Sequence, residues 1–167
     1  LTHPDIIDLL KKIAIEKIRF RVFSHIEYLT DEACNLLHNA GCDFVSVGIE
    51  SLNPDNLRFL HKLNNLYKLN NLNCAIDNGL RIRASFMVGL PYDTDETIDL
   101  YFSQAALLPI QEFAVYPLIP YPGTGIAQNA SKLHYKILNT DYESYMQMGK
   151  NKSAAYCLSY DNPHTGN

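Results

Sequence analysis

Residues 44–51, "FVSVGIES", place a carboxylate at the end of an otherwise apolar stretch. Such a stretch is typical of a strand buried on both faces, and Glu50 stands where that strand would end. A buried carboxylate loses hydration energy unless hydrogen-bond donors or a cation compensate it. Glu50 is therefore predicted either to accept hydrogen bonds from a polar ligand at the strand end or to form an internal ion pair.

Alternation along two predicted strands separates apolar from polar side chains. One face is uniformly apolar and should contact helices: Val45, Val47, Ile49, Ile82, Ala84, Phe86 and Val88. The other face is small, polar or charged: Ser46, Gly48, Glu50, Arg83, Ser85, Met87 and Gly89. Functional groups of parallel α/β barrels lie at the C-terminal strand ends, so the polar face is the candidate site. The structural alternative is an ion pair between Glu50 and Arg83.

The elements that must position these residues alternate between helix and strand. Strands are predicted at 18–25, 44–51, 81–90 and 112–119. Helices are predicted at 4–17, 30–41, 53–79 in two pieces, 94–108, and more weakly 140–149. This order predicts an α/β fold, either a partial (β/α) TIM-like barrel fragment of about four parallel strands with helical crossovers or an open doubly wound sheet. No Gly-x-Gly-x-x-Gly follows a strand, which disfavours a dinucleotide fold.

Composition limits the classes of partner. The chain has 167 residues, 47% of them hydrophobic, and a net charge of −4, as expected for one globular domain spanning 1–167. The acidic balance argues against a nucleic-acid surface within this chain. No apolar run approaches the roughly 18 residues of a membrane span, and a cytoplasmic location is expected. Because the first residue is leucine, the chain is expected to be a piece of a longer protein.

The four cysteines do not form a metal motif. Cys34, Cys42, Cys74 and Cys157 are scattered, and none forms a Cys-x-x-Cys pair. They are interpreted as free thiols of a cytosolic protein, with no metal ligand among them.

Three segments, "GCDFVSVGIES", "RIRASFMVGLPYDTDET" and "VYPLIPYPGT", occur in this order. Together they resemble the later strands of radical S-adenosylmethionine (radical SAM) enzymes. They are most similar to the branch that often carries a cobalamin-binding domain, which includes anaerobic magnesium-protoporphyrin monomethyl ester cyclase-like proteins. The resemblance covers residues 1–130 and implies the later part of a (β/α)6 core, with 131–167 as a C-terminal extension.

The resemblance also implies roles for particular residues. The implied cofactor-binding residues are Glu50, Arg83, Ser85, Met87, Gly89, Tyr116 and Leu118. Glu50 matches a carboxylate that accepts hydrogen bonds from the ribose hydroxyls of SAM. Arg83 and Ser85 would point toward the ribose and the methionine end. Gly89 lies in a turn that would shape the adenine side, and the backbone from Tyr116 to Leu118 would meet the adenine edge.

In this family SAM is cleaved to a 5′-deoxyadenosyl radical that abstracts hydrogen from a small-molecule substrate. The family's Cys-x-x-x-Cys-x-x-Cys loop, which holds a [4Fe–4S] cluster, is absent from the sequence. The cluster, and in some relatives a cobalamin domain, are therefore expected in a parent protein, and the isolated chain is expected to be inactive. His25 also departs from the family pattern, which usually has Arg there, followed two residues later by an acid or Asn such as Glu27.

Two other interpretations stay open on the sequence. One is a small α/β ligand-binding module without redox chemistry, held by the Glu50–Arg83 ion pair. The other is a fragment of a metal-independent barrel lyase, which would need a lysine at a strand end, and the sequence pattern shows none. A barrel that lacks its first strands would also leave the 18–25 strand with an open edge. We therefore expect the chain to self-associate or to cover this edge with its own termini.

Overall fold

The structure is a computed structural model that describes residues 3–138, 140 and 158–160. Its strands are β1 Phe20–Ser24, β2 Cys42–Glu50, β3 Arg81–Val88, β4 Glu112–Pro117, β5 Tyr135–Ile137 and β6 Leu158–Tyr160. Its α-helices are α1 Ile6–Glu16, α2 Asp31–Asn39, α3 Pro54–Phe59, α4 Asn64–Tyr67, α5 Asn71–Asp77, α6 Asp95–Ala105 and α7 Gly125–Gln128. Two 3₁₀ turns span Ile26–Tyr28 and Ala130–Leu133.

The first four strands form one parallel sheet in the order β1-β2-β3-β4. Each strand is followed by helical segments before its parallel neighbour, as parallel pairing requires. The expected α/β architecture of about four parallel strands with helical crossovers is confirmed. Among the described residues β1 pairs only with β2 and β4 only with β3, so both outer strands have an open edge.

The main core lies between the helices and one face of this sheet. Val45, Val47 and Ile49 of β2 and Ile82, Ala84 and Phe86 of β3 are fully buried there. The alternate residues of β2 and β3 are mostly half-buried, and they form the opposite face, which we call the open face. The predicted separation of an apolar and a polar face is therefore confirmed, and the polar face does not belong to the main core.

Side-chain caps fix where two helices begin. Thr30 accepts a hydrogen bond from the N–H of Ala33 at the start of α2. Thr94 accepts from the N–H of Thr97, and the Thr97 hydroxyl accepts from the N–H of Thr94, which makes a capping box with threonine in place of the usual glutamate. Both helices begin within one residue of the predicted starts at 30 and 94.

The 53–79 region is more broken than the leucine spacing predicts. It holds three short helices, α3, α4 and α5, where the sequence predicts two. Asparagine side chains compete with backbone hydrogen bonds and lower the helix propensity of this Asn-rich stretch. The predicted end near Asn78 and Gly79 is correct, with Gly79 at a φ of 77° just beyond α5.

Residues 126–137 cover part of the strand ends. Strands β5 and β6 form a two-stranded antiparallel sheet, which the sequence analysis did not predict. A small second core contains Leu90, Leu118, Ala130 and, from β5, Tyr135. The helix predicted at 140–149 lies outside the described residues. No helix in the described part of the chain has both the length and the apolarity to cross a membrane.

Candidate functional site

Glu50 ends β2 in an unusual backbone conformation. Its φ is 72°, in the left-handed region that non-glycine residues rarely adopt, and the pairing with β3 is irregular between Gly48 and Glu50. The Glu50 side chain is 17% exposed, and its Oε1 accepts a hydrogen bond of 2.6 Å from Nζ of Lys62. Unusual backbone at a strand end concentrates at functional sites, which supports the choice of Glu50 as a site residue.

The Glu50 carboxylate lies over the backbone of Gly48. A Cβ at residue 48 would stand 2.7 Å from Oε1 of Glu50, so only glycine leaves room for this orientation. The buried side chain of Asn65 donates hydrogen bonds to the carbonyl oxygens of Gly48, at 3.1 Å, and of Ile49, at 3.5 Å. The strand end is therefore held by two residues of the 62–65 segment.

The alternative prediction, an ion pair between Glu50 and Arg83, is wrong. Arg83 lies opposite Ser46 in the β2–β3 register, several residues before the strand end, and it forms no ion pair with any described residue. The cation beside Glu50 is Lys62, which no pattern in the sequence indicates. A lysine twelve residues after the strand end carries no local signal, because the path of the chain between them decides where it points.

Ser85 and Arg83 lie on the open face as expected. The register aligns Gly48 with Ser85 and Ser85 with Ala114, which places the serine beside the glycine under the Glu50 carboxylate. Neighbouring strands lie about 4.8 Å apart, so these residues share one surface. The structure thus brings Glu50, Ser85 and Arg83 onto one half-buried polar face.

Gly89 lies in a turn whose backbone groups are already used. Its φ is 86°, and its N–H, with that of Leu90, donates to Oδ2 of the buried Asp93 at 2.9 Å. Its carbonyl oxygen accepts a hydrogen bond of 2.7 Å from the hydroxyl of Tyr135. Burial raises the pKa of the Asp93 carboxyl, while hydrogen bonds from the Leu90 amide, the Asn56 side chain and the Gly89 amide oppose this. Gly89 would therefore contribute the shape of the turn to a ligand site.

The remaining predicted residues lie between the open face and the second core. Leu118 is buried in that core, and its N–H donates to the carbonyl of Val88 at 2.8 Å. Met87 packs against the same cluster. Tyr116, opposite Met87 in the β3–β4 register, is half-buried. Met87 and Leu118 are thus brought together at the β3 and β4 ends. Met87 directly follows Phe86, the residue that pairs with Glu50 in the β2–β3 register.

At the N-terminal end of the open face, two arginine side chains lie over the ring of Phe44. The guanidinium carbons of Arg21 and Arg81 lie 4.7 and 5.3 Å from the centre of the Phe44 ring. Oδ2 of Asp43 lies 3.5 Å from Nη2 of Arg19 and 3.4 Å from Nη2 of Arg81. Asp43 and the Phe44 ring hold these side chains near the N-terminal ends of the strands, at the end of the sheet away from Glu50.

The described cysteines do not fit an iron–sulfur cluster. Cys34 and Cys42 are buried in the main core, and Cys74 packs against it, on the sheet face opposite the candidate site. Burial raises the pKa of the Cys34 thiol to about 12 and also raises that of Cys42, whereas cluster ligation needs thiolates. No group of three possible ligands for a metal ion occurs among the residues that the structure describes.

His25 lies just beyond β1, with Nδ1 4.0 Å from Oε1 of Glu27. Both side chains are about half exposed, so the pair is a surface contact that contributes little energy.

The fold and the site together define a class of protein: part of a parallel α/β barrel with a polar face and a strand-end carboxylate. The sequence matches the family profile of the Radical SAM superfamily over residues 1–103. The chain belongs to this superfamily.

Curated relatives carry methyltransferase names. The chain is 26% identical over 144 residues to bacteriochlorophyllide d C-12(1)-methyltransferase of Chlorobaculum tepidum, covering 83% of this chain and 30% of the relative. It is 32% identical over 127 residues to bacteriochlorophyllide d C-8(2)-methyltransferase of the same organism, covering 71% and 26%. The chain therefore spans less than a third of the length of these relatives.

Solved structures share the fold. The radical SAM methyltransferase TsrM of Kitasatospora setae, with cobalamin and a [4Fe–4S] cluster bound, superposes with a TM-score of 0.61 at 18% identity, covering 81% of this chain and 30% of that one. Coproporphyrinogen III oxidase (HemN) of Escherichia coli, a radical SAM enzyme, superposes with a TM-score of 0.63 at 16% identity, covering 84% and 39%. These likenesses support the barrel-fragment architecture.

Proposed function

We propose that this chain supplies the later strands of the barrel of a radical SAM enzyme and binds the ribose of SAM through Glu50. The observation that carries the proposal is the position of the carboxylate, which lies at the C-terminal end of β2 on the open face with one oxygen held by Lys62. Two vicinal hydroxyls are suitable donors to a carboxylate, and charge-assisted hydrogen bonds of this kind are strong.

The residues present fit SAM but do not fit the cluster. Glu50 would hold the ribose, Ser85 and Arg83 offer polar groups on the same face, and the Gly89 turn would border the adenine. When bound, SAM supplies the adenosyl and methyl groups for the chemistry of this family. The cluster ligands would have to come from outside this chain, so we propose that the isolated chain is inactive.

Among reaction classes we favour methyl transfer. The two bacteriochlorophyllide relatives are named as methyltransferases, and the TsrM structure is that of a cobalamin-bound methyltransferase. This supports a parent protein of the cobalamin-associated branch that methylates a small molecule, in preference to the magnesium-protoporphyrin monomethyl ester cyclase-like subtype. A cytoplasmic location remains part of this proposal.

Glu50→Gln in the full-length, cluster-reconstituted enzyme tests the proposal. The substitution keeps the shape and removes the charge that accepts from the ribose, so SAM affinity measured by calorimetry should fall about tenfold or more. Glu16→Gln, at an exposed position at the end of α1, is the matched control and should leave the affinity unchanged. Equal SAM affinity in both variants would contradict the role of Glu50.

A further inference from the structure

We propose that Lys62 is a positioning residue for SAM. Its ammonium group holds one oxygen of the Glu50 carboxylate and thereby directs the other oxygen toward the ribose hydroxyls. The inference rests on the proposed function of Glu50 and extends it to a residue that lies outside every strand.

The backbone of Lys62 is fixed by the end of α3. His61 adopts a φ of 55°, and its N–H donates to the carbonyl of Arg58 at 3.1 Å. The N–H of Lys62 donates to the carbonyl of Leu57 at 2.8 Å. These two bonds and the left-handed residue make a Schellman motif. The Lys62 side chain therefore leaves the backbone from a defined point beside the end of β2.

The contact between the two charges is short and partly shielded from water. Nζ of Lys62 lies 2.6 Å from Oε1 of Glu50, and the side chains are 30% and 17% exposed. Partly buried pairs are screened less by salt than surface pairs. Lys62 is thus placed to restrict the carboxylate in addition to balancing its charge.

The strand end needs such restraint. Glu50 adopts a left-handed conformation after an irregularity in the sheet, so the regular alternation of the strand does not set the direction of its side chain. Asn65, from the same segment as Lys62, donates to the carbonyl of Gly48 at 3.1 Å and so holds the backbone. The backbone and the carboxylate are therefore held separately by Asn65 and Lys62.

This arrangement leaves one carboxylate oxygen for a ligand. Oε1 contacts Lys62 and lies over Gly48, while Oε2 accepts no hydrogen bond from any residue that the structure describes. A carboxylate held in its binding orientation loses less conformational entropy when a ligand binds. The geometry thus assigns Oε1 to Lys62 and Oε2 to the ribose hydroxyls.

Lys62→Met in the full-length, cluster-reconstituted enzyme tests this assignment. Methionine keeps most of the side-chain length and removes the charge, so the carboxylate would have to be ordered when SAM binds, and calorimetry should show binding weaker by up to about tenfold. Lys62→Arg should recover part of the affinity. Lys68→Met, an exposed position just beyond α4, is the matched control and should bind SAM as the unmodified enzyme does.

A double-mutant cycle separates positioning from a purely structural role. If Lys62 acts through Glu50, Lys62→Met should have little further effect on SAM affinity in the Glu50→Gln background. If it only stabilises the fold, it should lower the melting temperature and weaken SAM binding equally in both backgrounds, which would overturn the proposal.

The outcomes also separate this inference from the proposed function. Unchanged SAM binding in Glu50→Gln would overturn the ribose role of Glu50 and the inference with it. Weakened binding in Glu50→Gln together with unchanged or tighter binding in Lys62→Met would overturn only the positioning role of Lys62.

Discussion

At the scale of single residues, the site depends on a glycine as much as on a carboxylate. The backbone of Gly48 has no positive φ, so other residues could adopt its conformation. Glycine is needed there because a side chain would occupy the space that Oε1 of Glu50 fills. The end of a flexible side chain usually moves aside at little cost. Here that end is held by Lys62, so a new methyl group would compete with the ion pair for the same space.

Gly48→Ala should therefore reduce SAM affinity more than stability. We expect SAM binding in the full-length enzyme to weaken about fivefold, equivalent to about 1 kcal/mol, as measured by calorimetry. The free energy of unfolding should change little, because alanine is a better strand residue than glycine and offsets part of the strain. Gly125→Ala is the control, since a Cβ there meets nothing within 4 Å. A large loss of stability with unchanged SAM affinity would contradict this reading of Gly48.

At the scale of elements, buried polar side chains join α3 to the turn after β3. Nδ2 of Asn56 donates to Oδ1 of Asp93 at 2.6 Å, and Oδ1 of Asn56 accepts from the N–H of Tyr92 at 3.0 Å. Asn56 is fully buried and Asp93 is 6% exposed. This network fixes the Gly89 turn against the helix that leads to Lys62, so it connects two sides of the candidate site.

Asp93→Asn should destabilise the protein by about 1–3 kcal/mol. Asp93 accepts hydrogen bonds through both oxygens, from the Asn56 side chain and from the Gly89 and Leu90 amides. The NH₂ group of an asparagine would face one of these donors, and a buried donor would lose its acceptor. Urea unfolding measures this change. The double variant that exchanges the residues, Asn56→Asp with Asp93→Asn, restores a carboxylate opposite an amide and should recover most of the loss. Failure of the exchange to recover stability would show that the charge is required at position 93 itself.

At the scale of the whole molecule, the parallel sheet is open on both sides within the described residues. Phe23 on β1 is 92% exposed, and Phe113 on β4 is 62% exposed. Open strands with exposed apolar side chains recruit further chains. In the intact barrel that we propose, preceding strands would pair with β1 and cover this edge.

The 167-residue chain on its own should therefore self-associate through β1. Light scattering coupled to size-exclusion chromatography should show an average mass that rises with concentration. Phe23→Lys places a charge on the edge strand and should shift the chain toward the monomer. Leu107→Lys, at a residue 85% exposed beyond α6, is the control for added charge alone. A monomer at every concentration tested would contradict edge pairing.

Much of the fold follows from the sequence because its signals are local. Successive side chains of a strand point to opposite faces of the sheet. The residues of 44–51 and 81–90 can therefore be assigned to the two faces without knowing which strands pair. Thr30 and Thr94 cap the helices that follow them within three residues. The same period assigns Glu50 to the polar face, although the sheet is irregular just before it. The α/β order, the apolar face and the strand-end carboxylate were thus predictable.

Contacts between distant parts of the chain were decided by the tertiary structure alone. Lys62 reaches Glu50 across twelve residues, Asp93 reaches Asn56 across 37, and Tyr135 reaches Gly89 across 46. Periodicity and capping patterns do not predict such contacts, because the contacts depend on the path that the turns impose on the chain. The Schellman motif after α3 and the left-handed conformation of Glu50 place the ion pair. The pattern of residues therefore indicates which carboxylate faces the site, and the path of the chain places the cation that holds it.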